Sequence, residues 1–203
     1  MRQYLPLVGV TALLVITCCV RPLLQWRRHG NLGIALFRSG SRGQDLRDLL
    51  LLVLGLLLVG QAVAAVGSPQ VGLIAPDGGP AAWALAAAGS LLMAGGMALL
   101  AAAQLDLGAS WRIGIEKDAR PGLVVGGLYR FCRNPIYLGL LVTLAGYTLL
   151  LPTLLSLALL GGAWLGIRSQ VAAEEDHLRR TYGEDFVAYA RRVGRFLPWL
   201  GRL

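Results

Sequence analysis

Charge is what this sequence has least of. Of 203 residues only 15% are Asp, Glu, Lys or Arg, against about 25% in soluble domains, and mean hydropathy is +0.61. A water-soluble fold could not cover itself with so few charges, and a hydrophobic fraction of 56% excludes disorder. Cysteine is scarce as well. There are three, two of them adjacent (Cys18 and Cys19), which provides neither a disulfide framework nor a CxxC metal pair. Two histidines make no zinc site without further ligands, so no metal is expected. Lysine is nearly absent: Lys117 is the single one among 19 basic residues, a bias that points to a GC-rich bacterial genome. What remains is apolar, and the chain reads as an integral membrane protein of one domain, residues 1–203.

Five apolar stretches carry no charged residue at all: Tyr4–Val20, Leu49–Val66, Ala81–Ala103, Ile136–Leu151 and Thr153–Ile167. A helix needs about 20 apolar residues to cross a hydrocarbon core of about 30 Å, which the first three meet or nearly meet. The last two are short and separated only by Pro152 and Thr153, which predicts a tight helical hairpin with Pro152 at the turn; one helix broken across Pro152 is the rival. The first stretch follows Arg2 as a signal peptide would, but no small-x-small cleavage site follows it, so it reads as a retained helix. The expected fold is therefore an all-α integral membrane protein of five transmembrane helices, with a C-terminal amphipathic helix on the cytoplasmic side.

Basic residues set the orientation. Arg21, Arg27, Arg28, Arg38, Arg42 and Arg47 lie between the first two spans, and Arg112, Lys117, Arg120, Arg130 and Arg133 between the third and fourth. The tail after the fifth span holds Arg168, Arg179, Arg180, Arg191, Arg192, Arg195 and Arg202, whereas Gly67–Pro80 and the Pro152 turn hold neither Lys nor Arg. This alternation places the N-terminus outside and the C-terminus in the cytoplasm, in a bacterial cytoplasmic membrane. The formal charge of +8 is thereby a topology signal, and nucleic acid is not the expected partner. The expected partner is the lipid bilayer.

Spans without ionisable groups offer no relay for a pump or proton-coupled transporter. Gly89, Ser90, Ala94, Gly95, Gly96 and Ala98 in the third span, like Gly55 and Gly60 in the second, suit close helix packing. Polar information is concentrated in Gln104–Pro135 and in the tail from Arg168. An enzyme joining a membrane-dissolved substrate to a water-soluble one would place its site there. In the first segment, Gly126 and Gly127 permit a sharp turn, Asn134 suits an N-cap and Pro135 a first helical turn, and Tyr129 and Tyr137 offer ring faces and hydroxyls. An amphipathic loop with interfacial tyrosines explains the same composition equally well. In the tail, Leu178, Tyr182, Phe186, Tyr189 and Val193 follow helical spacing interrupted by Gly183. Glu175 with Arg179, and Asp176 with Arg180, form i,i+4 pairs worth about 0.2–0.5 kcal/mol each. Glu174 has Gln170 and Leu178 at those offsets and is the acid left over, free to hold a cationic group. His177 reads as a helix-surface residue, and Cys132 lacks a histidine partner for nucleophilic chemistry. Phe196, Leu197, Trp199 and Leu200 form a membrane-surface anchor.

Taken in order, Leu123-Val124, Gly127-Leu128-Tyr129, Arg133-Asn134-Pro135-x-Tyr137-x-Gly139, Glu174-Glu175, Tyr182-Gly183 and Tyr189 resemble the isoprenylcysteine carboxyl methyltransferase family, which is related to the membrane phospholipid methyltransferases. The resemblance covers roughly Leu107 to Pro198. It implies an integral membrane enzyme that uses S-adenosylmethionine to methylate a lipophilic small molecule or lipidated acceptor, with residues 1–103 as three N-terminal spans and 104–203 as the catalytic part. By position it nominates Leu123, Val124, Tyr129, Asn134, Pro135, Tyr137, Glu174 and Glu175 for the cofactor. Asn134, Tyr137 and Glu174 carry the catalytic assignment. Two positions depart from the eukaryotic pattern. Asn134 stands where those enzymes have His, keeping a donor and an acceptor but not titrating. Gln170 stands where they have a substrate-carboxylate Arg; Gln170 and the nearby Arg168 are the candidates for acceptor binding. A membrane reductase of the sterol-reductase type would require NADPH, and no GxGxxG follows a predicted strand. A transporter or scaffold leaves both polar segments without a purpose.

Overall fold

The computed structural model describes residues 2–68, 72–75, 78–113 and 122–202. Lys117 and Arg120, counted above among the loop charges, lie outside the described residues. Their longer helices are, in order, α1 (Arg2–His29), α2 (Arg42–Gly67), α3 (Gly79–Asp106), α4 (Pro135–Leu150), α5 (Leu154–Tyr182) and α6 (Glu184–Arg192), with short 3-10 turns at Gly108–Ser110 and Gly127–Arg130. Among them α1, α2, α3 and α5 are long and apolar enough to cross a membrane, while α4 is a shorter apolar helix. At 1.5 Å per residue α4 reaches about 24 Å, somewhat less than a typical hydrocarbon core. Leu56, Leu91 and Leu165 stand 72%, 74% and 67% exposed on α2, α3 and α5, an apolar surface that suits lipid and not water.

Two helices run well past their apolar stretches. α1 was expected to stop at Val20, yet after a π-helical stretch at Val15–Val20 it continues to His29. Tertiary contact carries it. The Arg21 guanidinium donates to the carbonyls of Gln104 (3.2 Å) and Gly108 (2.9 Å) and lies 4.6 Å from the centroid of the Trp111 ring. Gln25 donates to Ala109 O at 3.2 Å. The helix then ends on Gly30 at φ +73°, the left-handed cap that glycine adopts without strain. Likewise α5 does not stop at Ile167. It carries Arg168, Gln170, Glu174 and Glu175 on one continuous helix to Tyr182, where Gly183 at φ +52° breaks it from α6.

Between α4 and α5 only Leu151–Thr153 leave the helices. Thr153 caps α5 reciprocally: its Oγ1 accepts from the Ser156 N–H, and Ser156 Oγ accepts from the Thr153 N–H, both at 3.0 Å. The Ile74 N–H donates to Pro152 O at 2.9 Å, so the two connections without Lys or Arg touch. Basic connections meet one another separately, through Ala35 N–H to Ile113 O at 2.8 Å and Arg133 N–H to Gly194 O at 2.9 Å.

α3 and α4 pack along a glycine seam. A Cβ at Gly96 would lie 2.5 Å from Thr143 N, and one at Gly146 2.5 Å from Met93 N; Gly89 and Gly139 are equally tight against backbone. Backbones this close allow no side chain between them. Gly95, beside the seam, faces open space. Gly96→Ala should therefore cost about 1–3 kcal/mol by overpacking, seen as a lower thermal midpoint in detergent. Gly95→Ala should leave that midpoint unchanged or slightly raised.

Candidate active site

Pro135 opens α4 in its first turn, and Asn134 occupies the N-cap position without capping: its side chain makes no bond to the helix. The Asn134 amide instead donates to the backbone carbonyl of Arg195 at 3.0 Å. In the first turn of α4, the Tyr137 hydroxyl donates to Glu174 Oε1 at 2.6 Å. Gln170 Nε2 donates to the same oxygen at 2.8 Å. Glu174 Oε2 has no hydrogen bond to the described residues, which leaves one carboxylate oxygen for a further donor. The first turn of α4 and the far end of α5 thus meet through side chains. Both were nominated from sequence, 37 residues apart.

Glu174 is not the isolated acid that its helix neighbours suggested. A chain of side-chain hydrogen bonds joins it to α2. Gln44 Nε2 donates to Gln170 Oε1 at 3.0 Å and to Asp48 Oδ1 at 2.7 Å, and Asp48 Oδ2 accepts from the Phe37 N–H at 2.7 Å. Arg47 donates through Nε to Gln170 Oε1 at 3.1 Å and through Nη2 to Gln44 Oε1 at 2.8 Å. Sequence reasoning counted Arg47 only as a topology charge and passed over Gln44 and Asp48. The available signal was a polar run, Arg42–Asp48, placed directly before an apolar span.

Glu175 corrects the local-pair reading. It is not engaged by Arg179. Its carboxylate sits between Arg133, at 3.0 Å, and Arg195, at 2.6 Å, with the Glu175 side chain 11% and the Arg133 side chain 2% exposed. Asp176 and Arg180 form no ion pair among the described residues either. Arg133 spends its remaining donors on tail carbonyls, those of Ala190, Val193 and Gly201. A buried guanidinium with every N–H engaged is one of the few ways to keep such a charge inside. Arg133 belonged to the quoted motif but was given no role; its function is to clasp the tail over the turn that carries Asn134.

Other nominated residues fall around this clasp. Leu123 packs with Phe186, Tyr189, Ala190 and Val193, the buried face of α6 and its end. Val124 is half-buried beside it. Tyr129 is buried, and its carbonyl accepts from the Tyr189 hydroxyl at 2.6 Å. Burial first and the nearby Glu174 charge second push the Tyr129 phenol above its ordinary value; burial does the same for Tyr189 and for the Cys132 thiol. A raised thiol in a buried position is a poor nucleophile. Gly127, at φ +57°, presses its Cα against the Asp106 carboxylate, which accepts from the Leu128 N–H at 2.7 Å. That donor is therefore consumed inside the protein and does not face a ligand. Arg168 is the exception to convergence. It is exposed, and its guanidinium lies 5.9 Å from the Trp164 ring centroid, away from Gln170's network.

The acceptors fit a nucleoside with an ammonium-bearing tail: a carboxylate oxygen on Glu174 and an amide oxygen on Asn134, both without a donor among the described residues, beside the buried Tyr129, which lies close to Glu174. A separate cavity of about 600 Å³ lies among Asn31, Gly33, Arg38, Trp111 and Arg112, and none of the nominated residues lines it.

A family model described as phospholipid methyltransferase matches residues 84–185. The chain is 29% identical over 119 residues to protein-S-isoprenylcysteine O-methyltransferase of Mus musculus, covering 57% of this chain and 42% of that protein. It is 29% identical over 89 residues to protein-S-isoprenylcysteine O-methyltransferase B of Arabidopsis thaliana, covering 43% and 45%. The chain thus spans less than half the length of these curated relatives. Among solved structures, the eukaryotic intramembrane Ras methyltransferase, isoprenylcysteine carboxyl methyltransferase, solved without a monobody, superposes with a TM-score of 0.52 at 18% identity. That match covers 78% of this chain and 72% of the other, and it shows a shared membrane fold.

Removing one partner of a buried ion pair costs about 3–5 kcal/mol. Glu175→Gln should cost toward the lower end of that range, because the amide keeps a hydrogen bond but no charge opposite Arg133. Arg195→Ala, whose side chain is 38% exposed, should cost about 1 kcal/mol or less. Denaturant or thermal unfolding in detergent compares the two.

Proposed function

The chain belongs to the phospholipid methyltransferase family, and we propose that it is an integral membrane enzyme that transfers a methyl group from S-adenosylmethionine to a lipophilic acceptor. The acceptor atom is a carboxyl or hydroxyl oxygen on a prenylcysteine-like group or another lipid, reached at the cytoplasmic interface. One observation supports this reading above the others: Tyr137 and Glu174, on the two segments singled out in the sequence, share a 2.6 Å hydrogen bond.

In this reading all five apolar helices cross the bilayer and α4 and α5 form a hairpin. The contact of Ile74 with Pro152 supports it, because it gathers the two connections without Lys or Arg at one end. The positive-inside rule then puts the basic connections, the tail and the site in the cytoplasm, in a bacterial cytoplasmic membrane, with the N-terminus outside. α6 packs on Leu123 through its apolar face and caps the site from the water side.

When bound, the methyl donor supplies a carbon already activated by its sulfonium, so the acceptor oxygen gains the methyl as the electron pair passes to sulfur. A carboxylate acceptor needs no base, so orientation dominates, whereas a hydroxyl acceptor has to give its proton to a base. Glu174 holds an ammonium or amine through its open oxygen, while Tyr137 and Gln170 fix the carboxylate's rotation. Asn134, Pro135, Leu123, Val124 and Tyr129 shape the side that faces the nucleoside; Glu175 acts at one remove, through Arg133 and Arg195. Gln170 and Arg47 lie on the α2 side of Glu174, where the acceptor arrives laterally from the bilayer. A half-buried guanidinium there suits an anionic acceptor end, a role for which Arg168 is turned away. Charge separation falls when an anion meets a sulfonium, and a dry interfacial pocket favours that loss.

Purified protein incubated with labelled methyl donor and a membrane-lipid extract should yield a lipid heavier by about 14 Da, one CH2, located by mass spectrometry, on the positional logic above. Glu174→Ala should abolish both this product and S-adenosylhomocysteine binding. Unchanged binding removes Glu174 from the site, and an extract without labelled lipid contradicts the reading.

A further inference from the structure

We propose that Asn134 meets the methyl donor only as a hydrogen-bond acceptor, and that the backbone carbonyl of Arg195 imposes this polarity. The inference rests on the methyltransferase reading of the site and deepens it. A carbonyl oxygen can only accept. The Arg195 carbonyl receives the Asn134 backbone N–H at 3.1 Å and the Asn134 side-chain amide at 3.0 Å. Turning the carboxamide over would set oxygen against oxygen, so its orientation follows from chemistry and not from assignment. The amide half is consumed. The carboxamide oxygen makes no hydrogen bond among the described residues, although Asn134 is 8% exposed. It is therefore an oriented acceptor without a donor among the described residues, at the start of the helix whose first turn carries Tyr137.

The Arg195 carbonyl is itself held in place. Arg133 N–H donates to the adjacent Gly194 carbonyl at 2.9 Å, Arg195 N–H to Leu200 O at 2.8 Å, and the Arg195 guanidinium to Glu175. Glu175 is thus a positioning residue: it fixes the tail, and the tail fixes which end of Asn134 faces out. The complementary ligand group is an N–H or O–H donor. On the methyl donor the exocyclic amine of the adenine, the α-ammonium of the amino acid and the ribose hydroxyls qualify.

The test measures binding of S-adenosylhomocysteine to the whole chain by calorimetry, alongside analogues with hydrogen in place of the adenine amine, the α-amine or a ribose hydroxyl. Wild type, Asn134→Leu and Asn134→His are compared. Wild type should lose about tenfold in affinity for the analogue lacking the contacted donor, a typical worth for one hydrogen bond to a fixed acceptor. In Asn134→Leu that loss should shrink to within about twofold, and the analogue that shows the coupling names the group. Histidine can donate to the Arg195 carbonyl through one nitrogen and accept through the other, but only while neutral. Asn134→His should therefore bind near wild-type strength above pH 7.5 and lose affinity relative to wild type as pH falls through the imidazole range, near about 6.5. Cys132, Arg133 and Arg195 adjoin the position in wild type and variant alike, so the ratio isolates residue 134.

A residue that only packs the tail would give neither the coupling nor the pH-dependent ratio. Equal analogue losses in wild type and Asn134→Leu, or a ratio flat from pH 5.5 to 8.5, overturn the inference. If Asn134→Leu fails to fold, the histidine ratio decides. Wild-type protein that binds no S-adenosylhomocysteine at all overturns the functional reading and this inference with it, whereas binding with flat ratios overturns the inference alone.

Discussion

A buried carboxylate between two guanidinium groups holds this protein's polar half together. Glu175 faces Arg133 and Arg195 from α5, and Arg133 in turn ties down three carbonyls of the tail. Neither charge would be tolerated inside without the other. The consequence is geometric. The turn before α4, the far end of α5 and the residues after α6 are distant in sequence, yet they are locked into one unit. Glu174, the neighbour of Glu175 on α5, is thereby brought to Tyr137.

Below this unit the protein is held by shape. The α3–α4 seam relies on glycines at a seven-residue interval on both helices, Gly89 with Gly96 and Gly139 with Gly146. Where lipid supplies no hydrophobic drive between helices, close approach and dispersion do that work. Gly139 belongs to the same motif as Asn134 and Tyr137. One short segment therefore both seats α4 against α3 and presents the polar residues at its start.

Most of the helical plan was legible because apolar runs have a required length and charges mark their ends. The places where it was not legible share a cause. Arg21 looked like the end of a span, but long-range acceptors at Gln104 and Gly108 and the ring of Trp111 keep it inside α1. Glu175 looked paired with Arg179, because i,i+4 spacing is the only pairing visible along one helix; its partners come from 42 and 20 residues away. Arg47 was read only as a topology charge and Gln44 and Asp48 were passed over, since nothing in a linear sequence announces that Gln170 lies across from them. Glu174 and Tyr137 were singled out for the opposite reason, and the structure joins them at 2.6 Å. Glu174 lacked a basic partner four residues away, and Tyr137 stood in a dense segment that interfacial tyrosines explained equally well. A residue without a local partner is a reason to look for a distant one. Gly126 and Gly127 mark the limit of that rule, since the nearby donor of Leu128 is taken by Asp106.

The polar chain from Phe37 through Asp48, Gln44 and Gln170 to Glu174 gives the site a second wall, on α2, with Arg47 as its cation. The tail forms the other wall. The account's central claim is that these two walls enclose one methyl-donor molecule. An experimental structure with S-adenosylhomocysteine bound tests it most directly. Ligand density should lie between the Asn134–Pro135 turn and Glu174, with a ligand nitrogen within hydrogen-bond distance of Glu174 and with Glu175 still held by Arg133 and Arg195. Density instead in the cavity beside Gly33 and Trp111, or on the far side of α5 from Tyr137, would contradict it.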